Sequence, residues 1–139
     1  MIEINNLTKE YPLGRVDKKI FSTVAKKVLK GENRETETIS LAFVNKAEIK
    51  KLNKKFRQKD KATDVLSFEI KDGKNLGEIV ICPEVVKENA VKYGVPEKKE
   101  MMKVFIHGIL HLCGYDHEKS RAEERTMDNR QESYLDKLF

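Results

Sequence analysis

The stretch FIHGILHLCGYDHEK, Phe105 to Lys119, contains all three histidines of a 139-residue chain, at positions 107, 111 and 117. What precedes it decides what carries them. Pro96 stands at a helix start, and from Met101 to Cys113 the apolar residues point all round the helical wheel. That pattern predicts a buried central helix rather than a surface one. Gly114 closes it, because glycine takes the left-handed conformation that ends many helices without steric cost.

On such a helix His107 and His111, four residues apart, lie about 40° from each other around the axis and share one face. The reversal at Gly114 lets His117 swing back toward that face. Two imidazoles from a rigid helix and a third from the turn beyond it form a facial trio. Imidazole nitrogens suit zinc, and three protein ligands leave a fourth position for water, as in catalytic rather than structural zinc sites. A single histidine on an apolar helix is ordinarily a satisfied core residue. Three of them within eleven positions, each costly to bury without a partner for its ring nitrogens, argue for a metal. Other first-row divalent ions also accept nitrogen donors, so zinc is the first expectation and not the sole one.

The spacing H-x-x-x-H-x-x-G-x-x-H is also that of the metzincin zinc proteases. Those enzymes carry a glutamate general base directly after the first histidine, and here that position is Gly108. The site has protease spacing without the protease base.

Outward from this helix the chain alternates strand and helix patterns. MIEINN reads as a strand, and from Asp17 the residues Ile20, Phe21, Val24, Val28 and Leu29 recur at helical spacing up to Gly31. ISLAFV, 39–44, reads as a buried strand, and Lys46 to Phe56 as a helix with Ile49, Leu52 and Phe56 on one face. After the loop RQKDKAT, the segments DVLSFEI (64–70) and LGEIVIC (76–82) flank an Asp72-Gly73 turn and form an antiparallel pair. Pro83 opens a helix that runs to Gly94, and Ser120 with Glu123 is a capping box for a last helix to about Leu138. The expectation is one α+β domain over residues 1–139, with a small four-stranded sheet packed around the central helix and about four further helices. Strand order is not readable.

Lys and Arg outnumber Asp and Glu by 28 to 23, an excess compatible with nucleic acid but too small to demonstrate it. No apolar run approaches the roughly 18 residues of a membrane span. MIEINNLTKEYP lacks the basic and apolar regions of a signal peptide, so a cytoplasmic location is expected. Cys82 and Cys113 are too few for a disulfide framework and are expected to be reduced and buried.

HGILHLCGYDH, 107–117, resembles the signature H-G-x-L-H-L-x-G-Y-D-H of the YbeY family, bacterial single-strand-specific endoribonucleases that mature ribosomal RNA. LNKKFRQKDKATDVLSFE (52–69) and LGEIVIC (76–82) resemble two further blocks of that family, so the likeness covers most of the chain from about 40 to 138. The resemblance implies a small sheet around a central helix and a zinc ion held by His107, His111 and His117. It also implies activity on single-stranded RNA at the 3′ end of small-subunit ribosomal RNA, with the ribosome as partner and DNA not expected as substrate.

Lys50, Lys51, Lys54, Lys55, Arg57, Lys59 and Lys61 are opposed by Asp60 alone. Most of these lysines read as a solvated helix face that attracts an RNA backbone without regard to sequence. Arg57 and Lys59 match the family's basic pair, and the resemblance implies that the arginine is needed for activity. A planar guanidinium meets two oxygens of one phosphate, so Arg57 is the expected electrostatic catalyst and Lys59 a phosphate-binding residue. Asp116 is open between three roles: orienting a histidine, accepting a proton, and making a turn. Tyr115 and Met127 read as packing residues and Asp64 as a turn cap. Two other functions stay in view: a protease-like zinc hydrolase, weakened by Gly108, and a non-catalytic ribosomal RNA-binding factor with a structural metal.

Overall fold

The computed structural model describes residues 2–6, 15–116 and 120–139. His117 lies outside the described residues. The elements run β1 (Ile2–Asn6), α1 (Arg15–Gly31), β2 (Thr38–Phe43), α2 (Lys46–Arg57), β3 (Val65–Asp72), β4 (Asn75–Ile81), α3 (Pro83–Tyr93), α4 (Glu97–Leu112) and α5 (Arg121–Asp136). The fold is α+β, with a four-stranded sheet and five helices among the described residues.

The sheet order is β1-β2-β4-β3. β1 pairs with β2 and β2 with β4 in parallel, while β3 and β4 form the antiparallel hairpin. That hairpin turns at Gly73, whose φ of 60° is the left-handed conformation the Asp-Gly pair foretold. Strand β3 is therefore an edge of the sheet.

Strand alternation divides the core. Ile39, Leu41 and Phe43 of β2 and Ile79 and Ile81 of β4 join the main core with α1 and α4. Ala42, Val80 and Leu66 turn the other way and pack with Val44, Cys82 and Ile49 of α2. Strands covered on both faces are apolar almost throughout, which is why ISLAF and LGEIVI read as near-continuous hydrophobic runs. In the main core Phe21 lies edge-on to Phe43 and Phe105, at 5.5 and 5.0 Å between centroids.

Helix α4 packs against α1, α3, α5, β3 and β4, which makes it the central element. Its N-cap is Pro96 and its C-cap Cys113, with Gly114 at φ 106° directly after. At α5 the Ser120 hydroxyl accepts the Glu123 N–H at 3.1 Å, the N-cap half of the expected capping box.

One expectation is corrected, and one residue of α2 departs from its neighbours. Cys82 is buried but Cys113 is only half-buried; both are free thiols. Phe56 does not share the burial of Ile49: it is 52% exposed. Near the end of α2 it meets the edge strand, which offers it the ring of Phe68 at 5.2 Å and leaves the rest to solvent.

Candidate active site

From Glu100 to Leu112 every residue of α4 is buried except Lys103, His107 and His111. These three recur at four-residue spacing and form one stripe along a helix otherwise enclosed. The stripe is a wall of a cleft of about 400 Å³. Arg57, Lys59 and Lys61 line the same cleft, with Asp64 to Ser67 along the edge strand and Asp128 and Gln131 from α5.

The rings of His107 and His111 lie 4.7 Å apart between centroids at an interplanar angle of 78°. Nδ1 of His107 is 2.7 Å from Oε1 of Gln131. With an amide oxygen as acceptor, Nδ1 carries the proton and Nε2 keeps its lone pair. This is the arrangement by which a carbonyl or carboxylate orients a metal-binding imidazole. Gln131 was missed in the sequence. Its signal was there: it occupies a core position in the stripe Met127, Gln131, Tyr134 and Leu135, all buried. A polar residue on an apolar face requires a partner.

The opposite wall depends on how α2 ends. Gln58 adopts φ 56° and ψ 30°, the left-handed C-cap. Its N–H donates to the Lys54 carbonyl at 3.2 Å, and the Lys59 N–H donates to that of Asn53 at 3.3 Å. The Asn53 side chain is buried in the next turn of chain and donates from Nδ2 to the Lys61 carbonyl at 2.9 Å. These bonds fold the segment 58–61 back over the helix end and gather Arg57, Lys59 and Lys61 at one cleft wall. Asn53 too escaped sequence reading. Lys54, Lys55 and Arg57 in the last turn also lie favourably at the negative end of the helix dipole.

Gly108 has a structural reason. A Cβ built there would lie 2.9 Å from Cγ2 of Ile79 and 3.2 Å from its Cγ1. The helix thus sits on β4 at a separation that admits no side chain. Its carbonyl also accepts from the Ser67 hydroxyl at 3.3 Å, which ties α4 to the edge strand. A glutamate at this position would be driven into the sheet contact.

The chain after α4 is tied to the end of α1. The Tyr115 hydroxyl donates to Glu32 at 2.7 Å, and the same carboxylate accepts from Tyr134 and Arg130. Burial alone would raise the pKa of Glu32, but the bonds from Tyr134, Arg130 and Tyr115 outweigh it and hold the carboxyl below its usual value. Cys113 packs at the margin of the main core, and burial pushes its thiol up to about 11. Met127 is fully buried in that core. Asp64 precedes β3, accepts from the Thr63 hydroxyl at 3.3 Å and lines the cleft. Asp116 is half-buried.

The donor chemistry fits zinc: two imidazoles on one helix face, one with its second nitrogen hydrogen-bonded. Among the described residues no three His, Cys, Asp or Glu side chains converge as a metal set. The third donor expected, His117, lies outside them.

A sequence model described as Endoribonuclease YbeY matches residues 3–139. This chain belongs to the YbeY family. An Endoribonuclease YbeY of Bdellovibrio bacteriovorus is 44% identical over 114 residues, spanning 82% of this chain and 75% of that one. Its namesake in Persephonella marina is 35% identical over 138 residues, covering 95% and 90% of the two chains. The solution structure of a Thermotoga maritima protein superposes with a TM-score of 0.71 at 36% identity, across 97% of this chain and 87% of that one. Among the described residues no helix is long and apolar enough to cross a membrane.

Proposed function

We propose that this protein is a zinc-dependent endoribonuclease specific for single-stranded RNA, which matures the 3′ end of small-subunit ribosomal RNA in the cytoplasm and works on the ribosome. The observation that carries the reading is the cleft in which paired imidazoles, 4.7 Å apart, share a space with Arg57, Lys59 and Lys61. Membership of a family whose relatives are named endoribonucleases supports the same chemistry.

His107, His111 and His117 would hold the ion, which supplies a Lewis acid and lowers the pKa of water toward neutrality. Arg57 places a planar guanidinium against the scissile phosphate, where two N–H groups meet the charge that grows on its non-bridging oxygens. Lys59 grips a neighbouring phosphate as a point charge. Gln131 holds the proton on Nδ1 of His107 and so fixes which nitrogen is offered to the ion. The nucleophile is either water or the RNA's own 2′-hydroxyl, and a DNA strand of the same sequence separates the two, since only water can cut it. Gly108 weighs against peptide hydrolysis, because its contact with Ile79 leaves no room for a general base there.

The test is a cleavage assay on single-stranded RNA with purified wild type, Arg57→Ala and His111→Ala, beside metal analysis. His111→Ala should lose both zinc and cleavage, and it serves as the control for contaminating nuclease. Arg57→Ala should keep zinc and lose most cleavage; full activity would remove the arginine from the mechanism. Cleavage of a denatured protein but not of RNA would overturn the proposal.

A further inference from the structure

Phe56 is one of the few large apolar side chains exposed to solvent, and it sits beside the arginine proposed to meet the phosphate. Its exposure is not slack. The ring is held against Phe68 at an interplanar angle of 68°, and Phe68 is itself anchored on the smaller core. The ammonium of Lys55 lies 5.3 Å from its centroid. The result is an exposed aromatic surface braced by Phe68 with a lysine against it. Burying an apolar ring would stabilise the fold, so a half-exposed one in a strongly basic neighbourhood asks what covers it.

The charge answers that. Lys55 lies against the ring, Arg57 is the next residue of α2 and Lys59 follows in the next turn of chain, and all three are exposed. An exposed aromatic ring with cations beside it matches a nucleic-acid strand, whose phosphates the cations hold while a base covers the ring. An acidic peptide matches it less well, since it would need an aromatic side chain placed in step with its carboxylates, whereas every nucleotide carries both a phosphate and a flat base.

We propose that Phe56 is a stacking platform for a nucleobase of the single-stranded RNA, next to the nucleotide whose phosphate meets Arg57. The platform lies outside the cleft walls, beyond the edge strand. The RNA strand therefore leaves the cleft over β3 and lays an unpaired base on the ring. A duplex cannot do this, because its bases are already stacked and paired. Preference for single strands then has a physical source at this residue. The inference rests on the proposed RNA substrate but not on the identity of the metal.

The experiment compares two phosphorothioate-linked RNA probes of equal length: an oligouridylate, and the same backbone with abasic positions. Binding is measured for wild type, Phe56→Leu and Phe56→Tyr. Phe56→Leu keeps apolar bulk against Phe68 and removes the π-face. It should bind the oligouridylate about tenfold more weakly and the abasic strand unchanged, while Phe56→Tyr should stay near wild type. The chain has no tryptophan, so Phe56→Trp adds a lone reporter whose emission should be quenched by the oligouridylate and not by the abasic strand. Equal loss on both probes, or none on either, would overturn the stacking role. Failure of the wild type to bind any RNA would instead overturn the proposed substrate, and the stacking role with it.

Discussion

Replacing Gln131 by leucine removes the acceptor of His107 Nδ1 while keeping a side chain of similar volume in a buried position. The bond is 2.7 Å long and joins Gln131, 9% exposed, to a half-buried imidazole, so water takes the amide's place only in part. Loss of the partner of a fully buried donor costs about 1–3 kcal/mol, which sets the upper range here. If that cost falls on the zinc-binding form of the imidazole, zinc affinity drops by about 10- to 100-fold, since about 1.4 kcal/mol is a factor of ten. The same range is typical for lost outer partners of metal-bound histidines. Competition against a chelator of known affinity measures the drop, and urea unfolding of the metal-free protein measures how much of the cost falls on stability instead. Gln131→Glu supplies a carboxylate acceptor and should hold zinc at least as tightly as wild type. Unchanged zinc affinity in Gln131→Leu, with unchanged stability, refutes an orienting role for the amide.

Three other outcomes follow from the packing. Gly108→Ala gains about 1 kcal/mol in helix propensity but must push Ile79 aside, at about 1–3 kcal/mol. A net loss of about 1 kcal/mol is expected in urea unfolding, and Gly108→Glu should fail to accumulate as folded protein. Glu32→Ala takes the acceptor from the buried Tyr134 hydroxyl, which keeps only the bond it accepts from Arg130 at 2.9 Å, at about 2 kcal/mol; Arg130, at 41% exposed, adds little. The melting temperature should fall by about 6 °C. Because the folded Glu32 pKa is lowered, its stabilisation is complete above the ordinary glutamate value of about 4.3 and is lost as pH falls through the folded one. Glu32→Gln should therefore flatten the acid limb of a stability profile, and an unaltered limb would count against the network. Asn53→Ala frees the segment that carries Lys59 and Lys61, so Kd for RNA should rise severalfold with its salt dependence weakened.

Local structure was readable because it follows local rules. Strands β2 and β4 declared themselves as apolar runs, the Asp-Gly turn fixed the hairpin, and prolines and glycines bounded α3 and α4. Strand order was not readable, because β2 meets β4 only across α2 and β3, and no short-range pattern records that pairing. The histidine pair was legible from a spacing of four on a buried helix. Lys103, four residues earlier on the same stripe, was equally legible and was overlooked. Gln131 and Asn53 show a different limit. Each is a polar residue at a helical core position, and its purpose becomes visible only when the partner, a ring nitrogen or a carbonyl from elsewhere in the chain, is brought to it by the fold. Phe56 shows another limit: helical periodicity put it on one face with Ile49 and Leu52, and the position of β3 at the sheet margin, which leaves it exposed, is not written in that spacing.

The hydrogen bond between α4 and α5 has a bearing on timing. Ribosomes make proteins from the amino end, so a nascent polypeptide possesses both helical histidines well before it possesses the glutamine that orients one of them. Until the last helix docks, Nδ1 of His107 lacks this amide partner. The amide therefore joins the cleft only once the C-terminal helix has been made and has packed on α4, so this contact is among the last the site acquires.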